Sequence, residues 1–451
     1  MRLDNPISSL LALFGVAGAL GAQSKGLELP PIRQLGAVTA TSAEKLGPIA
    51  NIRPLSDGRV YVNDPFGRRV LLFDASLKTF TIIADSMGAN GNTYGRGANL
   101  IAFRGDSTLL VDPQSLSMLV LDANGKVARV MSVPSAQDAM SFAGALGNAS
   151  VDPQGRIVYR ASPRFEFRGM GPGAAGGPPR MPEMPDSAPI FRIDLATRKI
   201  DTLAYIKTQK IKMNTTQDDK GRIMMTSEIN PLPVVDEWAL TSDGAVALVR
   251  GRDYHIDWVN PDGSRTSSAK IPFEWQRLSD EDKVAFIDSV KAARERMGAS
   301  APVVATPGGG TQQTQSAPPP GLGGGEQRVM IFGGPPGADG GRGRPGDGGR
   351  GQATFSPPQM NFVAPSDLPD YKPVFLNGFV RADLSGNVWI RTIPTKAIPG
   401  GPVYDVVNGK GELVERVQIP ANRSIVAFAP DGAVYMLNRD GNSTVLEKAE
   451  K

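Results

Sequence analysis

A glycine turn between two apolar, β-branched runs recurs six times along this chain, and its spacing constrains the fold more than any other feature. The turn positions are 58, 106, 155, 244, 386 and 432. In the first copy Ile52-Arg53-Pro54-Leu55 precedes Asp57-Gly58. Val60-Tyr61-Val62-Asn63-Asp64 and Arg69-Val70-Leu71-Leu72-Phe73-Asp74 follow it. Asp-Gly between such runs is a strong hairpin signal, and a tight two-residue turn is expected because it demands positive φ. The first three positions are 48 and 49 residues apart, and the last two are 46 apart. Four-stranded units repeating at about 40–50 residues are propeller blades rather than the strands of a sandwich.

The chain is therefore read as all-β: a six-bladed β-propeller of four-stranded antiparallel blades, with one inserted amphipathic helix and Gly/Pro-rich disordered insertions. The blades fall at about 48–85, 97–134, 146–207, 236–272, 377–420 and 424–451. Val133-Pro134, Ile271-Pro272 and Ile419-Pro420 close three of them, since proline has no N–H for a strand ladder. The sixth copy ends at Lys451 without a fourth strand. An open edge would leave unpaired backbone groups, so the apolar stretch at about 34–40 is expected to pair there and close the ring.

Two insertions stretch the repeat, at 164–189 and 273–376. Within the second, 299–358 holds 17 Gly and 10 Pro in 60 residues, including Pro318-Pro319-Pro320, and reads as disordered. Ahead of it Ser279-Asp280-Glu281-Asp282 marks a helix start. The helix is expected over about 279–297, burying Phe286, Ile287, Val290, Ala293 and Met297 on one face. The insertion at 164–189 carries Met170, Met181 and Met184. Blade topology sends both insertions, and the links 86–98 and 207–235, to the face where each innermost strand begins. Long loops gathered on one face of a repeat fold mark a binding face.

Residues 1–22 read as a signal peptide, with an uncharged apolar core from Leu10 to Leu20 and small residues before Gln23. That core is short of the ~20 residues a membrane span needs, and no other stretch is longer. A periplasmic or secreted location follows, with no transmembrane span in the mature chain. The sequence has one His and no Cys, which excludes thiolate chemistry and every site built on two imidazoles. Net charge is +4 without a basic cluster, so no nucleic-acid partner is expected.

Counting back seven from each turn gives Asn51, Asn99, Asn148, Glu237, Phe379 and Ile425, with Arg53 and Arg381 two residues further on. This column begins the innermost strands, so its polar members should meet at the channel mouth. Two roles fit them. They form a polar ring for a small ligand or a hard cation, Asn and Glu oxygens being suited to calcium; or they cap the loop-to-strand turns through side-chain-to-backbone bonds. The single imidazole, His255, sits mid-strand in the fourth blade, where a packed residue is expected rather than a general base.

Val60-Tyr61-Val62-Asn63-Asp64 with Arg69-Val70-Leu71-Leu72-Phe73-Asp74 resembles an NHL repeat. The chain from 26 to 451, outside the insertions, is similar to exported bacterial six-bladed propellers of the NHL and TolB-like type. That resemblance implies the fold and leaves function open, since such propellers serve as binding platforms, lactonases and lyases. Similar lactonases of the gluconolactonase type use a Glu/Asn/Asp metal site, which carries over to Asn51, Asn99, Asn148 and Glu237; no matching catalytic Asp is recognisable. The expected function is a monomeric, non-enzymatic module binding an unknown protein or small molecule on the loop-bearing face. The alternative is a Ca2+-dependent hydrolase of lactone-like substrates.

Overall fold

Six sheets of four antiparallel strands follow one another along the chain, the first five laid down from the inside out. A computed structural model describes residues 29–47, 49, 51–85, 94, 98–144, 147, 149–162, 185–210, 212–217, 223–300, 359–396, 398–440 and 443–451. Residues 1–22, expected as a signal peptide, most of the 164–189 insertion with its three methionines, Asn148, most of the link 86–98 and the tract 301–358 lie outside the described residues.

The first blade runs Asn51–Pro54, Val60–Asp64, Arg69–Phe73 and Phe80–Asp85. The second runs Asn99–Ala102, Thr108–Asp112, Ser117–Leu121 and Val127–Ser132. The third begins with the short Ser150–Val151 and continues through Ile157–Arg160, Ser187–Ile193 and Ile200–Lys207. The fourth is Glu237–Leu240, Val246–Arg250, His255–Val259 and Arg265–Ser267. The fifth is Val380–Ala382, Val388–Arg391, Val403–Val407 and Leu413–Gln418. The sixth takes Arg423–Phe428, Val434–Asp440 and Ser443–Ala449 from the end of the chain.

Its fourth strand is Val38–Thr41, antiparallel to Ser443–Ala449 with Thr41 opposite Glu447. The stretch expected as one strand is in fact split. Ile32–Gln34 adds in parallel to Leu413–Gln418 as a fifth strand of the fifth blade, and the chain steps to the sixth only after Gly36. A Cβ at Gly36 would sit 2.7 Å from the Glu450 carbonyl oxygen, so the crossing needs a residue without one.

Apolar residues of these strands gather into six clusters, each shared by two neighbouring blades. Leu55, Tyr61 and Leu100 join the first to the second, and Tyr254, Phe375 and Val388 join the fourth to the fifth. The cluster of Leu46, Val62, Phe73, Tyr435 and Leu446 joins the last blade to the first. Six blades with six apolar seams, one of them between the chain's two ends, make a closed ring.

The insertions form more structure than the sequence indicates. The link 207–235, expected only as a long connection between blades, contains Lys212–Gln217 and Ile223–Ile229 as an antiparallel pair. Gln359–Phe362, from the far end of the second insertion, pairs in parallel with Ile223–Ile229. The helix spans Asp280–Ser300. Ser279 and Asp282 cap it reciprocally, the Ser279 hydroxyl accepting from the Asp282 N–H at 3.1 Å and the Asp282 carboxylate from the Ser279 N–H at 3.0 Å. Ile287, Val290 and Ala293 are buried as expected, and Met297 lies where side chains are not described. Lys283 is buried on the same face with Asp370 at 2.8 Å from its Nζ. Ile287, Leu232, Val363 and Leu368 share a satellite core, so the link 207–235 and the insertion 273–376 fold together.

Candidate functional site at the channel mouth

The polar column occupies the heads of the innermost strands, and these strands lie against one another around the axis. Its members reach sideways into the next blade. Asn51 is buried; its Nδ2 donates to the Leu100 carbonyl at 2.5 Å and its Oδ1 accepts from the Leu100 N–H at 3.3 Å. Asn99, also buried, donates through Nδ2 to the Phe142 carbonyl at 2.8 Å, in the turn that leads to the third blade. Glu237 accepts from the N–H of Gly378, just ahead of the fifth blade's first strand. These residues staple successive blades. A side-chain-to-backbone role was one of the two sequence readings, but the partner is the neighbouring blade rather than the residue's own turn.

Arg381 makes a further staple, its Nε donating to the Ile425 carbonyl of the sixth blade at 3.0 Å. Arg53 departs from the expected placement. Its guanidinium donates to Pro54 and, at 2.8 Å, to the Gly105 carbonyl in the turn between the first two strands of the second blade. In a four-residue strand, two positions carry a long side chain most of the way to the other face, so Arg53 lies away from the mouth.

The mouth gains residues that counting back from the turns could not find. Arg160 and Arg391 each end the second strand of their blade, five residues after a turn glycine. Counting forward from the turns would have found both. Burial pushes the Glu237 carboxyl above the usual carboxylate range. The positive charge of Arg160, the Gly378 N–H, the charge of Arg381 and the Trp238 N–H act against that shift. Burial lowers the Arg160 pKa in turn, opposed by Glu237, and Arg160 Nε is buried without a hydrogen-bond partner. At the fifth blade the Arg391 guanidinium lies over the Phe379 ring, 4.7 Å from its centroid.

The same groups decide whether a calcium ion fits. Calcium takes six to eight oxygens, several of them anionic. Here Glu237 is the one carboxylate of the column, and it faces arginines; the Asn51 amide oxygen is committed to a backbone N–H. Among the described residues no three His, Asp or Glu side chains gather around a common point. Among the described residues, which do not include Asn148, the donor set does not fit a calcium cage and suits a polar organic ligand better. His255 starts the third strand of its blade, two strands out from Glu237; it is half-buried, with Asp253 at 2.8 Å and Asp257 at 3.2 Å from its two ring nitrogens.

Fold and site together define a six-bladed β-propeller with a polar, arginine-bearing channel mouth. No protein-family model matches the sequence, and no curated protein matches it. Among solved structures the chain is similar to a gluconolactonase from Xanthomonas campestris, with 10% identity, TM-score 0.37, and coverage of 94% of this chain and 99% of that one. It is also similar to the calcium-binding protein regucalcin from Agrobacterium tumefaciens, with 10% identity, TM-score 0.38 and coverage of 94% and 98%. A streptogramin B lyase matches at 9% identity, TM-score 0.36 and coverage of 90% and 97%. Identity this low says nothing about chemistry. No described helix is long and apolar enough to cross a membrane.

Proposed function

We propose that this chain is an exported, monomeric binding module of the NHL-like propeller type that takes a small polar ligand at the channel mouth on its loop-bearing face. The observation that carries this reading is Glu237. A carboxyl group is buried at the head of an innermost strand with the charges of Arg160 and Arg381 acting on it, so the mouth brings together polar groups of both signs that match a polar ligand. The link 207–235 and the insertion 273–376, which fold together, supply a surface for a protein partner as well.

The alternative is a Ca2+-dependent hydrolase of lactone-like substrates using Glu237 with Asn51, Asn99 and Asn148. It would require Asn51 to release the Leu100 N–H. A calcium titration followed by thermal melting separates the two. Under the binding-module reading calcium leaves the melting temperature unchanged. A rise that disappears in both Glu237→Gln and Asn51→Ala would favour the hydrolase. Without calcium, Asn51→Ala should itself cost about 1–3 kcal/mol, because both Leu100 backbone groups lose a buried partner.

A further inference from the structure

Partly buried arginines of the propeller mostly carry a carboxylate. Arg69 holds Glu44 and Asp64, Arg156 holds Asp152, Arg250 holds Asp236 and Asp257, Arg416 holds Asp405 and Arg423 holds Glu447. Arg391 and Arg439 break the pattern. Arg391 is the last residue of Val388–Arg391 and Arg439 the penultimate residue of Val434–Asp440, so both stand at the loop-bearing ends of adjacent blades. Neither side chain has an ion pair or hydrogen bond among the described residues. Burial lowers the Arg391 pKa; Tyr404 acts against that shift and the charge of Arg439 acts with it.

Phe379 fixes the geometry. It holds the column position that Asn51, Asn99 and Glu237 hold in other blades, and its ring covers one face of the Arg391 guanidinium. Stacking leaves the N–H edges of the fork open, and a planar fork matches a carboxylate through two parallel bonds. Two like charges held together in a partly desolvated place are unfavourable without a counter-charge.

We propose that Arg391 and Arg439 form an oxyanion-binding site at the mouth between the fifth and sixth blades, which takes the carboxylate of a small organic acid. This inference rests on the mouth being a ligand site and names the class of ligand. Arg391 supplies the fork and Arg439 the second charge.

The test is calorimetric titration of the full chain with malonate, a dicarboxylate, at constant ionic strength, with inorganic phosphate as the comparison. Saturable malonate binding is expected. Arg391→Gln and Arg439→Gln should each weaken it by about tenfold or more, while the exposed Arg129→Gln leaves it unchanged. Arg439→Gln should not melt below the wild type without ligand, whereas Arg391→Gln also gives up its stacking on Phe379 and is compared at its own melting temperature. Phosphate binding tighter than malonate would overturn the carboxylate assignment, and absence of malonate binding by the wild type would overturn the site. Binding kept in both arginine variants but lost in Glu237→Gln would remove the arginine site and leave the mouth as a ligand site. Binding kept in all three variants would sink both.

Discussion

Across the seam between the fourth and fifth blades, the Tyr254 hydroxyl donates to the Asp405 carboxylate at 2.8 Å, with Arg416 Nε 3.3 Å from the other oxygen. Burial pushes the Asp405 carboxyl up to about 6, against the hydrogen bond from Tyr254 and the charge of Arg416. The folded state therefore holds this proton more tightly than the unfolded chain, whose group titrates near 3.8. The contribution to stability is fully present below that lower value and is lost as pH rises through about 6. Asp405→Asn should remove it. The wild-type-minus-variant difference in unfolding free energy, measured by urea denaturation, should fall between pH 4 and 6.5; a flat difference would refute the assignment. Nothing in Tyr404-Asp405-Val406 signals this pairing, because Tyr254 is 151 residues away and only the stacking of blades joins them. The Asn51, Asn99 and Glu237 column was legible from register alone. What those side chains bond to was not, since each partner belongs to a different blade.

Among the elements, the hairpin turns follow one rule that the repeat only half revealed. Leu55 N–H donates to the Arg59 carbonyl and Gly58 N–H to the Leu55 carbonyl, closing a three-residue loop with Gly58 at φ +86°. The same pair of bonds recurs at Asp152–Arg156, Thr241–Ala245, Asp383–Asn387 and Ala429–Ala433. This is a type I turn ending in a left-handed glycine, not the tight two-residue turn expected from Asp-Gly. The glycine was right and the loop one residue too short, because both turn types demand positive φ at a glycine. Two of these glycines separate strain from crowding. A Cβ at Gly432 meets nothing within 4 Å, so Gly432→Ala should cost only the left-handed conformation, about 1–2 kcal/mol. At Gly244 the Cβ would also stand 2.9 Å from Pro153 Cδ in the neighbouring blade, and Gly244→Ala should cost more. Equal losses in chemical denaturation would show that the blades give way at that contact.

For the molecule as a whole, the decisive contact is between the two ends of the chain. Val38–Thr41 covers the outer edge of Ser443–Ala449, Leu46 pairs with Thr444, and Leu46 also enters the apolar seam between the last and first blades. Removing residues 29–46 should therefore open the ring rather than trim it. The expected result is a large drop in melting temperature, a broadened transition and association through the exposed edge, followed by scanning calorimetry and size-exclusion chromatography. A sharp, unshifted transition would mean that each blade is stable without closure. The number of blades, the turn glycines and the strand that closes the ring were all readable along the chain, because hairpins and seams repeat at a period that adjacent residues set. Pairing between the link 207–235 and the second insertion, the blade-to-blade staples and the placement of Arg391 and Arg439 without a carboxylate among the described residues were decided only by the closed ring. It sets side by side residues whose separation in the chain carries no periodic signal.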